Sequence, residues 1–150
     1  MKDAPLDDIE ESIVMNVGVA RAWRVMTEPD YVVRWLGCLN YSKKVGHVFH
    51  MQPDPSRRAA GDIEGATHCE ILMLEEPRLF GFSWYLPGTP KTEVMIELMP
   101  LGEKKTRASL KHSGWDQFQA REIRQIWEML AGGWKSAVLP NLKRVAETGE

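Results

Sequence analysis

The chain lacks most of the features that announce a function at once. It holds only two cysteines, Cys38 and Cys69, in 150 residues. Their spacing demands no disulfide, and we read both as reduced and buried in a cytoplasmic protein. No apolar run reaches the ~20 residues of a membrane span, which argues against membrane insertion. Neither sign of charge dominates, since 19 Lys and Arg stand against 21 Asp and Glu for a net charge of −2. That balance gives no broad attraction to nucleic acid. Residues 1–8 are acidic and have no apolar core, so they do not read as a signal peptide. No internal repeat or low-complexity segment is present. The length fits one domain, and such a chain folds without a metal or disulfide.

What is abundant is bulk. Six tryptophans and eight methionines make either a heavy core or a lined apolar pocket, because aromatic rings and pliable thioethers adapt to apolar ligands. The pattern along the chain gives these residues places. Residues 9–17 alternate, with Ile9, Ile13, Met15 and Val17 on one face of a half-buried strand. Helical spacing follows at Val19, Trp23 and Met26. Thr27 then reads as the cap of a second short helix with Pro29 in its first turn and Trp35 near its end. A strand at 46–52 carries Phe49 and Met51 on one face. Residues 53–62 read as an exposed loop. Strands at 67–74, 79–86 and 91–99 are separated by turn residues. The middle one has a clear apolar face of Phe80, Phe82, Trp84 and Leu86, whereas the inward side of 67–74 is not readable because both faces turn apolar near its end. A last strand, 106–112, sets Ala108, Leu110 and His112 on one side.

From Gln117 onward Ile123, Ile126, Trp127, Leu130, Trp134, Val138 and Val145 form one helical stripe. Unbroken to Val145, that helix is about 43 Å long. Gly132-Gly133 weakens its middle, and Pro140 is expected to kink its last turns. Residues 147–150 are expected to fray. The whole reads as α+β, with helices packed on one face of a curved antiparallel sheet. A helix laid across a bent sheet leaves room beneath it.

Several local strings, in order, resemble the START-like (SRPBCC, birch-pollen-allergen) superfamily, and within it the branch related to the activator of the heat-shock chaperone ATPase. They are Val19-Ala20-Arg21-Ala22-Trp23, Met26-Thr27-Glu28-Pro29, Trp35, Glu75-Glu76-Pro77-Arg78-Leu79 with Phe82-Ser83-Trp84, His112-Ser113-Gly114-Trp115, and Gly133-Trp134 with residues 139–142. The resemblance covers about residues 6–147. It implies a helix-grip fold, a curved antiparallel sheet wrapped round a long C-terminal helix with two short helices after the first strand. It also implies a cavity between sheet and helix. Members of the superfamily include lipid and flavonoid binders, polyketide cyclases, antibiotic-resistance proteins and chaperone regulators, and a fold does not choose among these.

The candidate ligand contacts fall on three parts of the chain. Trp35, Phe49 and Met51 come from its first half. Phe82, Trp84, Leu110 and His112 come from the later strands. Trp115, Trp127, Leu130 and Trp134 come from the final turn and helix. For any single large aromatic plain core packing is the first reading, and the pocket reading gains from their sharing one space. His112 is the one weak catalytic candidate, as a general base or a polar anchor. No partner acid is placed beside it, and a histidine pinning the strand-to-helix turn is the plainer reading. Glu70 or Glu97 would join it only from inward-facing strands. Ser113 lacks a nucleophile elbow. His47 and His50 are expected on opposite faces of their strand, and His68 and Glu70 on one face with Cys69 opposite. None of these has a recognised metal spacing. Arg57-Arg58 reads as a solvated loop pair or a weak dock for an acidic partner. The expectation is therefore a binder of a small apolar molecule, lipid-like or polyketide-like, with no metal or organic cofactor. A protein partner such as a chaperone is the second reading, and a cyclase or hydrolase acting on a bound apolar compound is the third.

Overall fold

A computed structural model describes residues 5–149. The strands are β1 (Ile9–Met15), β2 (Cys38–Leu39), β3 (Val48–Met51), β4 (Thr67–Glu75), β5 (Leu79–Trp84), β6 (Thr92–Gly102) and β7 (Lys105–Ser113). They form one antiparallel sheet in the order β1-β7-β6-β5-β4-β3-β2. Between β1 and β2 stand α1 (Val19–Thr27) and α2 (Pro29–Leu36), and α3 (Pro55–Ala59) follows β3. After β7 a single 3₁₀ turn, Trp115–Gln117, leads into α4 (Ala120–Gly133). A π-turn, Trp134–Val138, then continues directly into α5 (Leu139–Thr148). This is the helix-grip arrangement that the sequence implied.

Register explains why alternation was so legible. Ile9, Glu11, Ile13 and Met15 of β1 stand opposite His112, Leu110, Ala108 and Thr106 of β7. In β7 these four partners are all buried, and the residues between them are exposed or half-buried. One face of the sheet therefore carries Phe49, Cys69, Ile71, Phe80, Phe82 and Val94 into the core. The inward side of β4 is Thr67, Cys69 and Ile71. A break in register between Ile71 and Met73 then shifts the pleat, which is why both faces of the sequence turn apolar there.

Several local expectations need correction. Thr27 does not cap α2. It ends α1, where its hydroxyl donates to the carbonyl of Trp23 at 2.7 Å. Glu28 occupies the cap position of α2 and Pro29 follows in the first turn. A hydroxyl back-bonded to its own helix satisfies itself locally and is lost to the next one. Residues 53–62 are not all loop. Asp54 accepts hydrogen bonds from the backbone N–H of Ser56 (2.9 Å) and Arg57 (3.3 Å), and with Pro55 at the first position it starts α3.

The terminal helix is neither broken at Gly132-Gly133 nor ended by Pro140. A proline inside a helix removes one donor and crowds the preceding turn. Here the wider π-turn immediately precedes α5, and Pro140 falls in the first turn of that element, where a missing N–H is tolerated. Residues 147–149 are held rather than frayed. The Glu147 carboxylate accepts from the Asn16 N–H (2.7 Å) and from Lys143 Nζ (2.6 Å), and Gly149 closes the helix in the left-handed conformation. Glu150 lies outside the described residues, as do residues 1–4 of the acidic start.

Burial along the terminal helix is uneven. In α5 Leu139, Leu142, Val145 and Ala146 are all buried, whereas in the longer α4 only Ala120 and Ile123 are. The helix grips the core through its C-terminal half and stands off through the half before it. At the other end of the molecule Gly18, which precedes α1, lies close under the β6–β7 turn. A Cβ added there would sit 2.6 Å from the backbone oxygen of Glu103. The Gly18→Ala variant is therefore expected to be less stable by about 1–3 kcal/mol, although alanine costs a helix boundary little. Urea unfolding of the two proteins side by side measures the difference.

Candidate functional site

Where α4 stands off, a cavity of about 410 Å³ opens. Its floor is Met51, Thr67 and Trp84 of the sheet. One wall is Val33, Trp35 and Leu36 of α2, and the other is Met129, Leu130, Ala137, Val138 and Asn141 of the terminal helix. Gln52, Pro53 and Arg58 close the side toward α3. The volume falls within the ~300–1,000 Å³ typical of small-molecule pockets. Met129 is 65% exposed at its rim.

Of the eleven residues that the sequence nominated, Trp35, Met51, Trp84 and Leu130 line this cavity. The structure does not bring the other seven there. Phe49 and Phe82 are fully buried and pack edge to face with centroids 5.5 Å apart. Leu110 and Trp115 are buried in the core as well. Trp127 is half-buried and its indole N–H donates to the carbonyl of Asp7 at 2.9 Å, so it ties down the chain before β1. His112 and Trp134 form a separate cluster. The open space thus lies beside the stripe Leu130, Ala137, Val138 and Asn141 rather than under Trp127 and Trp134.

Sequence reasoning missed Gln52, Arg58, Thr67 and the residues around Ala137. The signal for Arg58 was present. Asp54-Pro55-Ser56 starts a helix, and consecutive helical residues diverge by about 100°, so Arg57 and Arg58 cannot face the same way. Arg57 meets Asp54 (3.6 Å), Asp62 (3.3 Å) and Glu64 (3.3 Å). Arg58 turns instead to the carbonyl of Gln52, at 2.7 Å. The pair is not one solvated patch. Gln52 is itself fully engaged, donating to the carbonyls of Asp62 and Glu64 and accepting from the Asp54 N–H.

Four of the six indole donors are satisfied among the described residues. Trp35 donates to Val25, Trp115 to the His112 carbonyl, Trp127 to Asp7 and Trp134 to the His112 ring. Trp23 has a buried indole nitrogen with no partner. Trp84 lines the cavity and its indole makes no hydrogen bond among the described residues.

His112 is fully buried and bonded at both nitrogens. Trp134 Nε1, which can only donate, lies 3.2 Å from Nδ1. Thr92 Oγ1 lies 2.7 Å from Nε2 and donates its own proton to the carbonyl of Trp84 at 2.6 Å. One arrangement satisfies every atom. The ring is neutral and protonated on Nε2, and the donors run in one direction from Trp134 through His112 and Thr92 to Trp84. This is the pinning role expected of His112, exercised through the ring rather than a backbone bond alone.

Other groups resolve in the same way. His47 precedes β3, so strand alternation does not govern it; its ring bonds the Asn40 carbonyl, while His50 Nδ1 meets the Asn40 side chain at 3.2 Å. The two approach one residue rather than opposite faces. His50 also packs against His68, with ring centroids 4.6 Å apart. Among the described residues no group of three or more His, Cys, Asp or Glu side chains is placed to hold a metal ion. Cys38 and Cys69 are buried free thiols. Burial pushes the Cys38 pKa up to about 12 and raises that of Cys69 as well, so neither is a ready nucleophile.

Burial lowers the His112 pKa from 6.5 to about 3, and a proton on Nδ1 would also face the Trp134 donor. In the unfolded chain the ring titrates near 6.5, so between those values only the unfolded state takes the proton. The contribution of His112 to stability is complete above pH ~6.5 and falls by up to about 1.4 kcal/mol per unit as the pH drops toward 3. Denaturant midpoints at pH 7 and pH 5 measure it. His112→Gln is expected to be less stable at pH 7 by about 1–3 kcal/mol and to lose less stability than the parent on acidification. Equal losses in the two proteins would clear His112 of this role.

Known proteins share this architecture. Protein BH1534 of Bacillus halodurans matches with a TM-score of 0.72 and 24% identity, over 95% of this chain and 99% of that one. DynU16, a protein in the dynemicin biosynthetic locus, matches with a TM-score of 0.74 and 22% identity, over 97% of this chain and 49% of that one. PFC0360w of Plasmodium falciparum, described as an HSP90 activator, matches with a TM-score of 0.71 and 16% identity, over 92% of this chain and 94% of that one. At these identities the likeness speaks for the fold alone. No curated protein sequence matches the chain. The sequence profile described as "Activator of Hsp90 ATPase homolog 1-like protein" matches residues 16–147. With most of its length matched and the helix-grip fold in place, the chain belongs to that family.

Proposed function

We propose that this protein is a cytoplasmic START-like domain that binds a small, mostly apolar molecule, lipid-like or polyketide-like, in the cavity between the sheet and the terminal helix. The observation that carries the reading is the wall itself. Trp35, Met51, Trp84 and Leu130 line about 410 Å³ of space, and the Trp84 indole has no acceptor among the described residues. A pocket of apolar walls with a few polar groups is the usual construction of a small-molecule site. DynU16, whose fold is shared, is described as a protein in the dynemicin biosynthetic locus. Binding needs no metal or organic cofactor in this reading. The locked, neutral His112 argues for holding a ligand rather than for acid–base turnover, because its two nitrogens are already committed.

Titration with lipid and polyphenol panels, followed by tryptophan fluorescence and melting temperature, tests the proposal. A ligand present at a hundred times its dissociation constant is expected to add about 2.7 kcal/mol of stability. Leu130→Trp, which puts a larger ring into the open wall, is expected to weaken that ligand at least about tenfold while leaving the fold intact. Panels without any response would defeat the reading.

A second reading, chaperone co-regulation, is favoured by one observation. The outer face of the sheet carries a groove lined by Met73, Leu79 and Met95, flanked by Glu10, Glu97 and Lys111. Apolar area within a charged rim is the composition of a protein-contact patch. PFC0360w, of similar fold, is described as an activator of HSP90. A chaperone ATPase assay with this chain decides it: stimulation lost in Met95→Glu and kept in Leu130→Trp assigns the partner to the outer face, and no stimulation removes the reading.

A further inference from the structure

We propose that the cavity selects an amphipathic carboxylate, with an apolar tail between α2, α4 and the sheet and a carboxylate on Arg58. This deepens the ligand-binding reading above and rests on it. The argument begins with charge. The residues lining the cavity include two arginines, Arg34 and Arg58, and no aspartate or glutamate, in a chain whose net charge is −2. Arg34 is occupied elsewhere. Its Nη1 donates to the carbonyl of Gly149 at 2.6 Å, and its guanidinium lies 5.8 Å from the centre of the Tyr31 ring.

Arg58 is different. It is half-buried, its side chain makes one hydrogen bond, from Nη1 to the Gln52 carbonyl, and among the described residues it has no ion pair and, unlike Arg34, no aromatic ring against its guanidinium. Its neighbour Arg57 takes three carboxylates, so acids are within reach of α3 and are all spent on the outer side. A guanidinium has five N–H donors in a planar fork. One is used here, and the rest remain for an oxyanion at the edge of an apolar space.

Two further donors belong to the same wall. Thr67 and Trp84 both line the cavity, and neither the Thr67 hydroxyl nor the Trp84 indole N–H makes a hydrogen bond among the described residues. A cation and two neutral donors beside Leu36, Met51 and Leu130 describe a ligand with one anionic end and one apolar end. The anion is a monoanion. A single arginine neutralises one charge, and a dianionic phosphate would leave a second uncompensated where water is scarce. Gln52, with its side chain bonded on both ends, fixes the carbonyl that aims Arg58 and takes no part in the ligand.

The test uses three probes of equal chain length, dodecanoate, dodecanol and dodecylamine, each below its aggregation concentration at pH 7.5. Binding to the full chain is read by tryptophan fluorescence and calorimetry. Dodecanoate is expected to bind about tenfold or more tighter than dodecanol, with dodecylamine weakest. Arg58→Gln is expected to erase the preference for dodecanoate while leaving dodecanol unchanged, Arg58→Lys to restore part of it, and Arg57→Gln to leave both affinities as they are. Melting curves of each variant establish that it is folded. Equal affinity for dodecanoate and dodecanol, or a preference that survives in Arg58→Gln, overturns the carboxylate inference and leaves the cavity reading standing. Failure of all three probes to bind overturns the carboxylate inference, and the lipid and polyphenol panels above then decide the cavity reading separately.

Discussion

One chain of hydrogen bonds fixes the rest of the molecule. Trp134 on the terminal helix donates to His112 on β7, His112 donates to Thr92 on β6, and Thr92 donates to the carbonyl of Trp84 on β5. Three adjacent strands and the helix are thereby joined through buried polar atoms. Leaving any member unmatched would cost about 1–3 kcal/mol, because the others have no water to turn to. The network also sets direction. A donor-only indole at one end and an acceptor-only carbonyl at the other allow a single tautomer and a single order. Apolar packing alone would let the helix slide along the sheet, whereas this pairing specifies one height and one rotation.

The position of that anchor decides where space remains. Trp134 opens the π-turn, and after it one side of the helix is packed down by Leu139, Leu142 and Val145 while Ala137, Val138 and Asn141 line the cavity. Before it, the only buried residues of α4 are Ala120 and Ile123, near its start. The clamp and the cavity even share a residue. The backbone carbonyl of Trp84 ends the hydrogen-bond chain, and its indole lines the open side. A helix pinned at one height and free on either side of the pin leaves a gap whose walls are rigid on the sheet side and softer on the helix side.

Much of this was legible in the residues. Alternation fixed the faces of β1, β5 and β7 because a half-buried sheet forces a period of two. The stripe from Ile123 to Val145 gave the helix for the matching reason. Local chemistry was less legible. Thr27 had two ways to satisfy its hydroxyl and took the one inside α1. Pro140 was read as a kink because a proline in mid-helix is one in an α-helical frame, and the preceding π-turn changes the frame. The pocket was half readable for a physical reason. Large aromatics mark buried faces, but burial does not say whether a ring touches its neighbours or a void, so Phe49, Phe82 and Trp115 went to the core while Trp35 and Trp84 went to the wall. Arg58 was hidden because its role depends on a five-residue helix that turns it away from Arg57.

For the ligand-binding reading proposed above, the uneven grip of the terminal helix also suggests a route of access. Local opening costs least where the fewest apolar groups are buried. Of the two terminal helices that is α4, with Met129 exposed and Leu130 half-buried at the cavity rim and Gly132-Gly133 near its end. A glycine pair adds little resistance to bending there, since each is worth about 1 kcal/mol less than alanine to a helix. The core strands and α5 lie on the far side of the Trp134–His112 bond and need not move. A ligand of the proposed kind would pass between α2 and α4 by displacing the less-held of the two terminal helices. A helix that bent before Trp134 would leave the His112 network and the packing of α5 in place, so access and stability reside in different halves of the same helix.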